Sequence, residues 1–131
     1  MRKSTTKKLA IAVAGLALVA VGFAQAQDAQ PFLGAWKGTL SIAGVELEIG
    51  LNLKLDEAKK ITGTFDSITQ GAMDIPLGQF AIEGKTISFI IDHPGVPGEP
   101  SFKGTLDETG KKLIGDFTQA GYAGTFAVDK Q

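Results

Sequence analysis

The chain has no cysteine, one histidine, one tryptophan and one tyrosine in 131 residues. Without cysteine there is no disulfide to staple a fold, no catalytic thiolate and no sulfur-ligated metal centre. One histidine among scattered carboxylates makes a poor metal site, so neither a metal nor a cofactor is expected. Helical periodicity is missing after residue 26. An apolar run long enough to anchor the chain in a bilayer is missing too: the longest, Leu9 to Phe23, has fifteen residues, against the roughly 20 that a spanning helix needs. Excess positive charge is absent from the remainder. After residue 26 there are nine basic residues against fourteen acidic, a net charge of −5, which gives no attraction to nucleic acid or to an anionic membrane.

What is present begins with an export leader. Arg2, Lys3, Lys7 and Lys8 form a basic head, Leu9 to Phe23 an apolar stretch, and Ala24-Gln25-Ala26 a small-x-small cleavage site. No cysteine follows the apolar stretch, which excludes a lipid-anchored form. The expectation is a signal peptide over 1–26, a linker over 27–33 and a single domain over 34–131, exported to the periplasm or the extracellular space. After cleavage no stable membrane span is left.

The domain repeats one pattern five times: large apolar residue, any residue, Gly, Thr or Asp, large apolar residue. The copies run Trp36 to Leu40, Ile61 to Phe65, Phe102 to Leu106, Leu113 to Phe117 and Tyr122 to Phe126. Alternate side chains of a strand share a face, so each copy buries two large residues with a notch between them at Gly38, Gly63, Gly104, Gly115 or Gly124. A residue without Cβ tolerates the close approach that a strongly coiled sheet demands. These five are read as structural glycines.

Strands are expected at about Ala35–Ile42, Val45–Leu55, Lys60–Asp66, Ile75–Glu83, Thr86–Ile91, Ser101–Leu106, Lys112–Gln119 and Tyr122–Val128. Val45 to Leu55 is the clearest. Its six apolar residues alternate with Glu46, Glu48, Gly50, Asn52 and Lys54, and a one-residue slip would bury both glutamates. Ser67 to Asp74 reads as a loop, and so does His93 to Pro100, with its three prolines and two glycines following the histidine. Tight turns between sequential strands make an all-β antiparallel meander of about eight strands that curls into a small barrel. A barrel-like sandwich of two sheets is the alternative, depending on whether the first and last strands pair.

Gly34-Ala35-Trp36-Lys37-Gly38-Thr39-Leu40, then Asp66-Ser67-Ile68-Thr69-Gln70-Gly71-Ala72 with Ile75-Pro76, resembles the N-terminal non-catalytic β domain of secreted bacterial α/β-hydrolases of the serine aminopeptidase type. There a G-x-W-x-G-x-L opening and a D-S-x-x-Q-G-A segment precede the catalytic domain. The chain carries no G-x-S-x-G nucleophile elbow. The resemblance implies an accessory module without the hydrolase.

The candidate ligand- or partner-binding residues are Trp36, Asp66, Ser67, Gln70 and His93. Trp36 either stacks a ligand at a barrel mouth or plugs the closed end, the latter being preferred. Asp66 and Ser67 suggest a nucleophile beside a carboxylate, but adjacency without a placed base is also what a capped turn looks like. The expectation is a non-catalytic binding or interaction module. It takes a small apolar ligand in its interior, in the manner of a carrier barrel, or a protein partner, such as a hydrolase, on the Ser67–Asp74 and His93–Pro100 loops. The alternative is a small secreted serine esterase or peptidase-like hydrolase using Ser67 and His93. An enclosed cavity supports the ligand; a side-chain-filled interior leaves only the partner.

Overall fold

A computed structural model of the chain describes residues 29–131. The expected leader, its cleavage site at Ala24 and Ala26, and the first two linker residues lie outside the described residues.

Eight strands follow one another: β1 (Gly34–Ile42), β2 (Val45–Leu55), β3 (Ile61–Ser67), β4 (Ala72–Glu83), β5 (Thr86–Ile91), β6 (Ser101–Leu106), β7 (Lys112–Gln119) and β8 (Tyr122–Lys130). Each pairs antiparallel with the next, and β1 also pairs with β8, from Trp36 opposite Lys130 to Ile42 opposite Gly124. The sheet is therefore a closed barrel and not a two-sheet sandwich. Closure leaves no free first or last edge, the exposure that an open meander would carry. β1 to β2 and β7 to β8 turn through Ala43-Gly44 and Ala120-Gly121, both residues of each pair having positive φ. That is the type I′ hairpin geometry that matches strand twist.

The repeated glycines sit where the wall is tightest. A Cβ built on Gly38 would run into the Ala127 carbonyl of β8, and one on Gly115 into the Lys103 carbonyl of β6. Gly63 and Gly124 face the carbonyls of Asn52 and Ser41 in the same way, whereas Gly104 faces the ring of Phe126. The inward rows on either side of these notches are buried: Trp36 and Leu40, Phe102 and Leu106, Leu113 and Phe117. The exceptions are Ile61, half-buried, and Tyr122, 63% exposed, each the first residue of its strand and so at a rim.

Phe102 occupies the middle of the interior. Its ring centroid lies 5.0 Å from that of Phe89, 4.7 Å from Phe117, 5.2 Å from Phe126 and 5.5 Å from Phe65. Aromatic pairs at such spacing contribute about 0.5–1.5 kcal/mol each beyond the area they bury. The centre of the barrel is thus filled by side chains.

Two expectations are corrected, and the irregularity of β4 is accounted for. The stretch read as a linker contains a 3₁₀ turn, Gln30–Phe32, with Phe32 fully buried. Pro31 suits the start of that turn, and the apolar ring closes the end of the barrel where β1 begins. The loop read as Ser67 to Asp74 is only 68–71, because Ala72 already pairs with Ser67. Finally, β4 alternates weakly in sequence because it is irregular twice, between the partners of Phe65 and Ser67 and again between Gly78 and Ala81. The second irregularity, at Gln79 with φ 51°, moves the core-facing positions from Ile75 and Leu77 to Phe80 and Ile82.

Candidate functional site

Up-and-down connection puts the 3₁₀ turn, the β2–β3 turn, the β4–β5 turn and the β6–β7 turn at one end. The β3–β4 turn and the β5–β6 loop lie at the other. Trp36 stands at the first end, fully buried, and its indole N–H donates to the Phe32 carbonyl at 2.9 Å. The Lys130 ammonium lies 5.2 Å from the indole ring centroid and donates to the Pro31 carbonyl at 3.1 Å. Trp36 therefore clamps the 3₁₀ turn, and no part of its side chain is free to meet a ligand.

Asp66, Ser67 and Gln70 do come together, at the far end. Asp66 is buried, and one carboxylate oxygen accepts the Asp74 N–H at 2.7 Å across the β4 irregularity. The Ser67 hydroxyl donates to the Gln70 side-chain carbonyl at 2.7 Å and is 3% exposed. Thr69, read from sequence only as a polar loop residue, accepts the Glu48 N–H through its hydroxyl at 2.7 Å. The Glu48 carbonyl takes the Ile68 N–H at 2.8 Å. The Asp-Ser-x-x-Gln-Gly-Ala segment is thus a turn knotted by its own side chains and pinned to β2.

His93 sits in a different loop, exposed, with Nδ1 accepting the Gly95 N–H at 2.9 Å. A hydroxyl has one proton to donate; that of Ser67 is committed to Gln70, so this geometry contains no serine–histidine pair. The loop after His93 is also less open than its prolines suggest. Val96 packs on the core and Pro100 is buried, while the Pro97 carbonyl receives Gln119 Nε2 at 3.0 Å. Both ends of the barrel are covered.

Space is left in the wall. β3 and β4 pair from Ser67 opposite Ala72 to Thr64 opposite Pro76, and then separate. Between Ile61–Thr62 and Leu77–Ile82 a half-open cleft of about 630 Å³ is left, reached also by Ala29, Asp56, Lys59 and Lys60. Core-facing Ile61, Leu77, Phe80 and Ile82 line it together with outward-facing Thr62 and Ala81, so it cuts through the wall. None of these residues was singled out as a candidate in the sequence. The one signal that pointed there was the break in alternation along β4.

The carboxyl of Asp107 is held below its usual range, chiefly by the Thr109 hydroxyl. The Lys112 amine is held above its usual range by Asp129, whose carboxylate it meets at 2.9 Å. Both lie at the β6–β7 end of the barrel, Asp107 in the turn and Lys112 at the head of β7, in a different part of the chain from Ser67 and His93. Among the described residues no group of three or more His, Asp or Glu side chains is placed to hold a metal ion, and no helix is long and apolar enough to cross a membrane.

These features define an eight-stranded, up-and-down, closed β-barrel with an aromatic-filled centre and a cleft in its wall. No family model matches the chain, and no curated protein does. Among solved structures it is similar to a de novo designed fluorescence-activating β-barrel at 14% sequence identity and a TM-score of 0.49, covering 79% of this chain and 98% of that one.

Proposed function

We propose that the protein is an exported, non-catalytic binding module that holds a small apolar ligand in the cleft between β3 and β4. The observation that carries this reading is the cleft itself. Its volume, about 630 Å³, falls within the roughly 300–1,000 Å³ typical of small-molecule sites, and its floor is Ile61, Leu77, Phe80 and Ile82. The filled centre speaks against the interior ligand expected from the sequence, an outcome that on that expectation leaves the protein partner; a cleft in the wall is outside that expectation, and it is what brings a small ligand back. Ser67 and Gln70 are engaged with each other, which speaks against a hydrolase built on Ser67 and His93.

Titration with the neutral apolar reporter N-phenyl-1-naphthylamine tests the reading. Enhanced, saturable fluorescence with one site per chain is expected. Ala81→Trp, which places an indole in the cleft from its outer side, should abolish it. A protein that leaves the reporter dark, or an Ala81→Trp variant that binds as before, overturns the assignment. Ester turnover lost specifically in Ser67→Ala would establish a catalyst instead.

A further inference from the structure

The mouth of the cleft has a chemistry of its own. Lys59 and Lys60, from the β2–β3 turn, stand beside the apolar floor. Among the described residues the ion pair formed is Lys112 with Asp129, so neither mouth lysine is neutralised by a salt bridge. One carboxylate, Asp56, shares the mouth, and its Oδ1 accepts the Ala58 and Lys60 N–H groups, each at 2.9 Å. The charged residues lining the cleft are therefore two lysines and one aspartate whose carboxylate is turned onto its own loop; Glu57, in the same turn, is not part of the lining. Lys59 is held at φ 62°, a conformation unusual for a side-chain-bearing residue; the Asp56 hydrogen bonds fix it, so its stem starts from a set position.

Resting on the reading of the cleft as the binding site, we infer that its ligand is a free, single-chain anionic amphiphile. The alkyl chain lies on Leu77, Phe80 and Ile82, and the anionic head meets Lys59 and Lys60. An apolar floor alone would accept any greasy molecule. Unpaired cations at its edge select a negative head and repel a positive one, since specificity is a difference between the two affinities. A head group left at the mouth stays partly hydrated, so the lysines contribute discrimination more than affinity.

The test uses three probes on the protein: dodecanoate and dodecyltrimethylammonium, both below their micelle concentrations, and phosphatidylglycerol vesicles. Calorimetric titration should show dodecanoate binding about tenfold tighter than the cationic chain, the scale expected of two exposed charge contacts. In Lys59→Gln/Lys60→Gln that ratio should fall to about one. Equal affinities in the unaltered protein, or a ratio that survives the double substitution, overturn the inference. So does capture by the vesicles without binding of monomeric dodecanoate. A neutral reporter that binds while the charged probes show no order defeats this inference alone. A neutral reporter that fails defeats the site.

Discussion

One methyl group separates Gly115 from alanine, and the barrel has no space for it. The added carbon would meet the Lys103 carbonyl and the Cα of Gly104 across the strand pair, and backbone cannot swing aside as a side chain can. Gly115→Ala is expected to cost at least the roughly 1–3 kcal/mol typical of overpacking, read as a lower urea midpoint with an unchanged slope. Gly104→Ala makes the comparison, because its nearest obstacle is the Phe126 ring at 2.7 Å, which has some freedom to tilt. An unchanged midpoint in Gly115→Ala would mean that the wall is looser than its register indicates. At this scale the sequence was informative: the spacing of Gly38, Gly63, Gly104, Gly115 and Gly124 marked the inward notches. For Asp66 and Ser67 it favoured a capped turn over a triad without naming the partners, Asp74 and Gln70, that make the turn.

Among the elements, β2 was legible to its last residue because its alternation is unbroken and only one register keeps Glu46 and Glu48 wet. β4 was not, since two irregularities shift which residues face inward. For the same reason the cleft left no trace in the sequence beyond that break in alternation: it exists where β3 and the bulged half of β4 part company. The 3₁₀ turn escaped because three residues are too few to show a period. Its weight in the fold exceeds its length. Phe32 is fully buried, and its carbonyl satisfies the Trp36 indole. Phe32→Ala should destabilise the protein by about 3–5 kcal/mol, measured by thermal or urea unfolding, with near-ultraviolet dichroism reporting a loosened Trp36. A loss below about 1 kcal/mol would show that the turn is a passive lid, since even a buried methylene is worth nearly that much.

For the molecule as a whole, closure is the non-local event. Neighbouring strands meet through turns of two to five residues, apart from the nine-residue β5–β6 loop, but Trp36 pairs with Lys130, at the opposite extremity of the barrel sequence. Such distant pairing carries the largest loop-closure cost and sets a slow step. It also brings the two extremities of the described chain together: the Gln131 N–H reaches the Ala35 carbonyl at 2.9 Å. Joining Gln131 to Ala29 by a short glycine–serine linker and cutting at Ala43-Gly44 should therefore yield a folded barrel, with the far-ultraviolet spectrum kept and a melting temperature within about 5 °C, the shift expected for 1 kcal/mol in a domain of this size. A permutant that does not fold would show that the β1–β2 hairpin has to form first.

The ends of the barrel differ in one more respect. Lys54, Lys59, Lys60, Lys85, Lys111, Lys112 and Lys130 gather around the 3₁₀ turn, mixed with Asp56, Glu57, Glu83, Asp107, Glu108 and Asp129. The opposite rim carries Glu46, Glu48, Asp74, Asp92 and Glu99. Nearly all the uncompensated negative charge thus sits at one pole, and the molecule has a permanent electric moment along its axis. In low salt a drifting anion is turned away from the rim and led toward the lysine pole, where the wall is open. Added electrolyte erases that guidance within a screening length of about 10 Å at 0.1 M, slowing capture before it weakens holding.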